Sequence, residues 1–291
     1  MSKISTSDIK KLRDLTGAGY LDCKEALDKS EYDLDKATDY LRKKGITSAQ
    51  KRSDRTANDG LVAISINDSN SQASVIEINS ETDFVARNEN FQEFVINLSK
   101  LNLNNKGDMD KLVNSEYINS KDKVSDVLTN LISTIGENLT IKRCAYIENS
   151  EGFIGTYIHN VEKDNMGKIG VLLSVKTDIK FDLINDFLKK LCMHIAASNP
   201  ISINISDVNE DLLKKEKEFQ LEEIKKSGKD ESIQEKMLEG KIKKFFSEVV
   251  FLEQSFVMDE TIKIKNLIEK TSKDLNGTIE IKEFVRFKIG E

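Results

Sequence analysis

A chain of 291 residues that is 38% hydrophobic and 32% charged has enough apolar content for two or three domains with cores of their own, without disulfide or metal support. Its formal net charge of -6 argues against a life on phosphate backbones, which needs concentrated Lys and Arg, and makes another protein the expected partner. Cys23, Cys144 and Cys192 are scattered with no C-x-x-C pair, which excludes a disulfide framework and suits small buried hydrophobes in a reducing compartment.

The N-terminal MSKISTSDIKKLRDL has neither a signal-peptide core nor an Arg-rich, acid-poor transit character. No apolar run downstream approaches membrane-spanning length, so a cytoplasmic protein is expected. Residues 1–45 read as three short helices. Ile4, Ile9, Leu12 and Leu15 keep roughly helical spacing, and TGAGYLD puts Gly17 and Gly19 where a helix must stop and turn. Leu21, Ala26 and Leu27 mark a second helix. Asp33 is placed to cap a third, with Leu34, Ala37 and Leu41 on one face and Gly45 as its C-terminal glycine cap. A module this small is a docking unit more often than a catalyst. The polar, basic ITSAQKRSDRTAND that follows reads as a connecting helix or linker.

From Gly60 the period changes to two. GLVAISI sets Val62, Ile64 and Ile66 on one face, NDSNS turns, and ASVIEINS returns as a second strand. ENFQEFVINLSKL is amphipathic, the stretch to Gly136 is mostly helical, and NLTIKRCAYIE supplies a third strand. The order then recurs: EGFIGTYI matches DGLVAISI, IGVLLSVKTD matches SVIEINSETD, and DLINDFLKKLCMHIA takes the place of the first amphipathic helix. GTIEIKEFVRFKIGE closes the second copy as LTIKRCAYIE closes the first. The expected fold class is therefore α+β, with two duplicated three-strand and helix core subdomains, each carrying a helical insertion before its last strand.

In the second insertion Leu238, Ile242, Phe245, Val249 and Leu252 form a heptad seam. Its partner is the charged stretch 207–226, where Val208, Leu212, Phe219 and Ile224 are the apolar positions. KKSGKDES lies between, Gly228 suiting a helix end and Asp230 a helix start, so an antiparallel coiled-coil hairpin is expected. The predicted division is 1–55 for the helical module and linker, 56–148 for the first core subdomain, 149–206 plus 253–291 for the second, and 207–252 for the hairpin.

Chemistry is conspicuous by what is missing. There is no phosphate-binding G-x-x-x-x-G-K-[ST] loop and no G-x-G-x-x-G after a strand. His159 and His194 are the two histidines, neither with a carboxylate or cysteine at metal-ligand spacing, and His194 in LCMHIAASNP reads as a satisfied structural residue. No nucleophile elbow accompanies the Ser, His and Asp present. Neither an enzyme nor a cofactor is expected.

LRDLTGAGYLDCKEAL, SETDFVARNENF, MHIAASNP, EGKIKKFFSEVVFLEQSFVMD and FVRFKIGE, in that order over essentially the whole chain, resemble the translation elongation factor Ts family. The resemblance implies a ubiquitin-associated-like helical domain, two related core subdomains and a coiled-coil protrusion. It also implies a guanine nucleotide exchange factor that binds the GTPase elongation factor Tu carrying GDP and speeds GDP release. By that similarity Thr82, Asp83, Phe84 and Val85 form the element that enters the GTPase domain and dislodges its magnesium ion. Arg13, Tyr20 and Leu21 match the surface for the GTPase domain, and His159, Val257 and Met258 match contacts elsewhere on the partner. A homodimer within the complex is compatible with the resemblance; direct nucleic-acid or membrane binding is not implied.

The chain departs from the family pattern at Ser255, where Pro is usual, in a longer hairpin NVEKDNMGK, and in ending at Glu291 where some members continue into a helix. Tyr20 and Leu21 have a plainer reading as closures of the small helical core. The internal repeat matches Thr82-Asp83 to Thr177-Asp178, which predicts that Asp83 holds the turn aiming Phe84 while Asp178 holds a turn that aims nothing. Two other classes compete with exchange: a scaffold or chaperone-like adaptor, and RNA binding through the mildly basic stretch Arg42 to Arg55, which is more often a solvated helix face.

Overall fold

Alternating apolar residues make β1 (Asp59–Ile66) and β2 (Gln72–Ser80), an antiparallel pair extended by β3 (Leu139–Glu148) along the far edge of β2. The same arrangement repeats in β4 (Gly152–Lys163), β5 (Met166–Thr177) and β8 (Ile279–Lys288), with β5 in the middle. In this computed structural model, which describes residues 5–226, 228 and 230–291, the two halves join where β1 pairs with Met166 and Gly167 at the start of β5.

The halves pack face to face. Val62, Ile64, Ala73, Val75 and Ile147 meet Ile154, Leu172 and Phe287 in one buried layer. Gly170 permits the approach, since a Cβ there would lie 2.6 Å from Val62 Cγ1. The opposite face of β1 and β2, with Leu61, Ala63, Ile76 and Ile78, is covered by Phe91, Phe94, Val95 and Leu98 of α4 (Glu89–Asn104). Val171, Leu173 and Val175 are likewise covered by Ile184, Leu188, Leu191 and Ile195 of α7 (Phe181–Ser198). The result is helix, sheet, sheet, helix. Because both faces of β1 are buried, the alternation that put only Val62, Ile64 and Ile66 on the core side understates its burial.

The N-terminal module comprises α1 (Thr6–Thr16), α2 (Tyr20–Lys29) and α3 (Leu34–Gln50) around Ile9, Leu12, Cys23, Ala26, Leu27 and Ala37. Gly17 closes α1 at φ +67, its N–H bonded to Arg13 O, and Asp33 caps α3 through the N–H groups of Asp35 and Lys36, both as expected. Gly45 does not end α3. The helix runs through it, and Gly45 lies buried against α6 (Val124–Ile135), where a Cβ would meet Ser133 Cβ at 3.7 Å. Leu15, which shares the spacing of buried Ile9 and Leu12, is 71% exposed, and Leu21 is 77% exposed. Ile4 lies outside the described residues.

Between α4 and β3 come α5 (Met109–Asn114) and α6; between α7 and β8 come α8 (Glu210–Lys225), α9 (Glu231–Val249), the hairpin β6 (Ser255–Phe256) and β7 (Asp259–Lys263), and α10 (Ile264–Asp274). Helices α8 and α9 pair in opposite directions, Glu216 and Gln220 facing Lys241, Lys244, Phe245 and Glu248. Gly228 adopts φ +64 and Asp230 takes the N-cap position of α9; Ser227 and Lys229 of that connection lie outside the described residues. Leu238, Ile242, Phe245 and Val249 are half-buried as the heptad predicts, but Leu252 falls in a 3-10 turn beyond the helix. On α8 the prediction needs correcting: Leu212 and Phe219 are exposed, and the inward row is Leu213, Glu216, Gln220, Leu221 and Ile224. Polar residues occupy the middle of that face, so apolar identity pointed to the wrong one.

Candidate partner-binding site

The turn between β2 and α4 is tied down on both sides of one exposed side chain. Before it, the Ser80 hydroxyl donates to Thr82 O at 2.9 Å. The Glu137 carboxylate accepts the Thr82 N–H at 3.0 Å and the Thr82 hydroxyl at 2.6 Å. After it, a 3-10 turn spans Val85–Arg87, closed by Ala86 N–H to Asp83 O and Asn88 N–H to Val85 O. Val85 and Ala86 are 5% and 1% exposed, packed into the first core, and Gln92 Nε2 donates to Ala86 O. Phe84, between these anchors, is 77% exposed. Burying a phenylalanine fully is worth about 1.5–3 kcal/mol, which this turn forgoes and a complementary pocket would recover. Of the four predicted residues here, Phe84 and Asp83 face solvent, Thr82 is half-buried, and Val85 is an inward anchor rather than a presented side chain.

The strand registers correct the matching of the repeats. Gly60 pairs with Asn79 and Gly152 with Lys176, and the bulges fall at Glu77/Ile78 and Ser174/Val175. Glu81 therefore matches Asp178 and Thr82 matches Ile179, two residues away from the alignment of the Thr-Asp pairs. The hydrogen bonds agree: Glu81 Oε1 accepts the Asn138 N–H at 2.6 Å before β3, and Asp178 Oδ1 accepts the Thr278 N–H at 2.6 Å before β8. Among the described residues no donor reaches the Asp83 carboxylate. The side chain that holds the turn is Glu137, which sequence reasoning missed because it lies far along the chain in an unremarked IGEN segment.

A second exposed patch surrounds the Gly17 turn: Leu15 at 71%, Tyr20 at 50% and Leu21 at 77%, with exposed Arg13 beside them. This overturns the reading of Tyr20 and Leu21 as core closures. Leu15 joins the patch, although its helical spacing aligns it with buried Ile9 and Leu12. The module is fixed to α6 by the Arg42–Asp126 ion pair at 2.8 Å and by Arg52 Nε donating to Gly136 O at 2.9 Å. A Cβ on Gly17 would come 3.9 Å from Thr134 Oγ1, so the glycine turn sits near the end of α6 that leads into Glu137 and the Phe84 turn.

His159, Val257 and Met258 are brought together, lining a groove of about 390 Å³ with Tyr157, Met193 and Arg286 among others. Val257 and Met258 form the two-residue turn between β6 and β7, and Ser255 pairs with Lys263 in that hairpin. The Val257 N–H donates to Nδ1 of His194, whose Nε2 lies 2.9 Å from Gln254 Oε1. Gln254 Nε2 donates to Ser198 O and Glu248 O, which turns its carbonyl oxygen toward the imidazole. His194 is thus held as the neutral Nε2–H tautomer, and burial keeps its pKa below the ordinary histidine value, with the Gln254 bond opposing. His194 is structural, as expected, yet it also seats the Val257 turn.

The family model described as Elongation factor TS matches residues 81–291. Elongation factor Ts of Rhodospirillum rubrum is 41% identical over 292 residues, covering 100% of this chain and 94% of its own length. Elongation factor Ts of Rickettsia bellii is 42% identical over 289 residues, covering 99% and 92%.

Proposed function

The chain belongs to the elongation factor Ts family, and from that premise we propose that it is a guanine nucleotide exchange factor in translation elongation. It binds elongation factor Tu carrying GDP, dislodges the magnesium ion and promotes GDP release so that GTP can bind. The observation that carries this reading is Phe84, an exposed phenylalanine on a turn anchored from both sides. Magnesium and phosphate-loop contacts hold GDP, so a side chain that shifts the elements around them weakens the grip without touching the guanine. Thr82, Asp83 and Val85 build the element that presents Phe84.

Arg13, Tyr20 and Leu21, with Leu15, supply a second contact to the GTPase domain, and the groove of His159, Val257 and Met258 contacts the partner elsewhere. Residues 1–55 act as a ubiquitin-associated-like docking module, 56–148 and 149–206 plus 253–291 as the two core subdomains, and 207–252 as a coiled-coil protrusion. No covalent change is catalysed and no cofactor is used. The factor binds the nucleotide-free state preferentially, and reciprocity requires that nucleotide in turn expel it. Release of a fluorescent GDP analogue from elongation factor Tu, with and without this protein, is the test. Acceleration that depends on Phe84 supports the reading; an unchanged release rate defeats it.

A further inference from the structure

We propose that Glu137 is a positioning residue for exchange: it clamps Thr82 so that Phe84 is presented at a fixed angle, and it ties that turn to the helical module. The inference rests on the exchange-factor reading for its functional half. Three consecutive residues form the junction. Gly136 O accepts Arg52 Nε at 2.9 Å, Glu137 takes both Thr82 donors, and Asn138 Nδ2 donates to Arg55 O at 2.8 Å. The Asn138 N–H also meets Glu81 Oε1. One short segment therefore grips the linker after the module on one side and the root of the Phe84 turn on the other.

The second repeat shows that the clamp is not part of the shared scaffold. Matching Leu139 to Ile279, as their pairings with Ser80 and Thr177 require, puts Gly277 where the first repeat has Glu137. The preceding residues agree, Gly136 at φ +85 and Asn276 at φ +49. The scaffold bond is kept in both copies, Glu81 to Asn138 and Asp178 to Thr278. In place of the clamp the second copy has Ile179, 5% exposed in its own core, packed so closely on Gly277 that a Cβ would collide with it. That copy buries the apolar residue at the position matching Thr82; the first copy holds a polar residue there with a carboxylate and turns the following aromatic outward. A carboxylate accepting two donors from one residue fixes orientation as well as distance.

The test uses the full chain carrying Glu137→Ala, Glu137→Gln and Phe84→Ala, alone and combined, with melting temperatures recorded throughout. GDP release from elongation factor Tu is followed against factor concentration, separating the plateau rate from the half-saturating concentration. Glu137→Ala is expected to lower the plateau about tenfold with little change in half-saturation. It should add nothing to Phe84→Ala, and the Thr82 amide should exchange hydrogen faster. Glu137→Gln should recover most of the rate, because the Thr82 hydroxyl can accept from the amide while its N–H donates to the amide oxygen. A full plateau in Glu137→Ala, or losses that multiply with Phe84→Ala, overturns the proposal. If wild type itself does not accelerate release, the exchange reading fails; the Thr82 amide then decides the clamp alone, and unchanged protection in Glu137→Ala rejects it.

Discussion

Nδ1 of buried His194 accepts the backbone N–H of Val257 at 3.2 Å, so a side chain near the C-terminal end of α7 sets the tip of the β6–β7 turn. Protonating that nitrogen would set two donors against each other. Burial lowers the folded-state pKa of His194 below its unfolded value of about 6.5. Between those two values the unfolded chain binds more protons, so stability rises with pH through the window, is fully present above about 6.5 and is lost on acidification. Melting temperature should fall from pH 7.5 toward 5.5 more steeply in wild type than in His194→Gln. Parallel slopes would show that His194 does not titrate in this way.

Gly45 provides a test of the corrected helix boundary. Inside a helix glycine costs about 1 kcal/mol relative to alanine, and the space beside it admits a methyl group, with Ser133 Cβ 3.7 Å from the added carbon. Gly45→Ala should therefore raise the melting temperature or leave it unchanged. Had Gly45 been a left-handed cap, the same change would destabilise, so a clear fall in melting temperature contradicts a continuous α3.

Glu77 is fully buried, and Arg143 Nε reaches it at 2.6 Å while the guanidinium lies 4.4 Å from the Phe287 ring centre and donates to Lys288 O. The pair thus locks the first sheet to the last strand of the second. Removing the cation leaves a buried carboxylate unpaired, a change that typically costs about 3–5 kcal/mol. Arg143→Ala should approach that loss in urea unfolding. Combining it with Glu77→Gln should recover part, and strictly additive losses would argue against coupling.

The duplicated strand-strand-helix-strand order was legible in the sequence, because period-two alternation and glycine starts recur at Gly60 and Gly152. Register was not. Two Thr-Asp pairs offered a better letter match than Glu81 with Asp178, yet hydrogen-bond pairing and bulge position obey the latter. Exposed Leu15 shared helical spacing with buried Ile9 and Leu12, and exposed Leu21 marked the second helix beside buried Ala26 and Leu27, so no pattern separates a core leucine from an exposed one. Glu137 was invisible for another reason: its contact to Thr82 joins residues far apart in the chain, which local period and turn chemistry cannot report.

The strand register gives Asp178 the same bonding role as Glu81, each accepting a backbone N–H just before the last strand of its repeat. Asp178 accepts the Thr278 N–H, which lowers its pKa, so its stabilising contribution is present above the unfolded carboxylate pKa and is lost as pH falls through the folded value. Asp178→Ala should lower the melting temperature at pH 7 and leave GDP release unchanged. Glu81→Ala, its counterpart, should destabilise similarly, whereas Asp83→Ala should leave the melting temperature nearly unchanged. An Asp83 variant as destabilised as the Asp178 variant would restore the letter-based alignment.

Phe84 and Leu21 are equally exposed, each at 77%, but they differ in how they are held. Phe84 stands on a turn fixed by Glu137 on one side and by buried Val85 and Ala86 on the other, so little rearranges when it is pressed into a pocket. Leu21 lies in the first turn of α2, within the apolar patch that includes Leu15 and Tyr20. The first arrangement suits displacement of elements around bound nucleotide, the second suits adhesion. Losing the burial of one phenylalanine corresponds to about 1.5–3 kcal/mol, so Phe84→Ala should slow the plateau rate of GDP release roughly ten- to a hundredfold. Its half-saturating concentration and melting temperature should barely move. Leu21→Ser, preferably with Leu15→Ser, should instead raise the half-saturating concentration about tenfold while the plateau survives. Stimulated release measured against factor concentration distinguishes the two. If Leu21→Ser lowers the plateau as Phe84→Ala does, or Phe84→Ala changes only half-saturation, the two exposed side chains do not divide the work in this way.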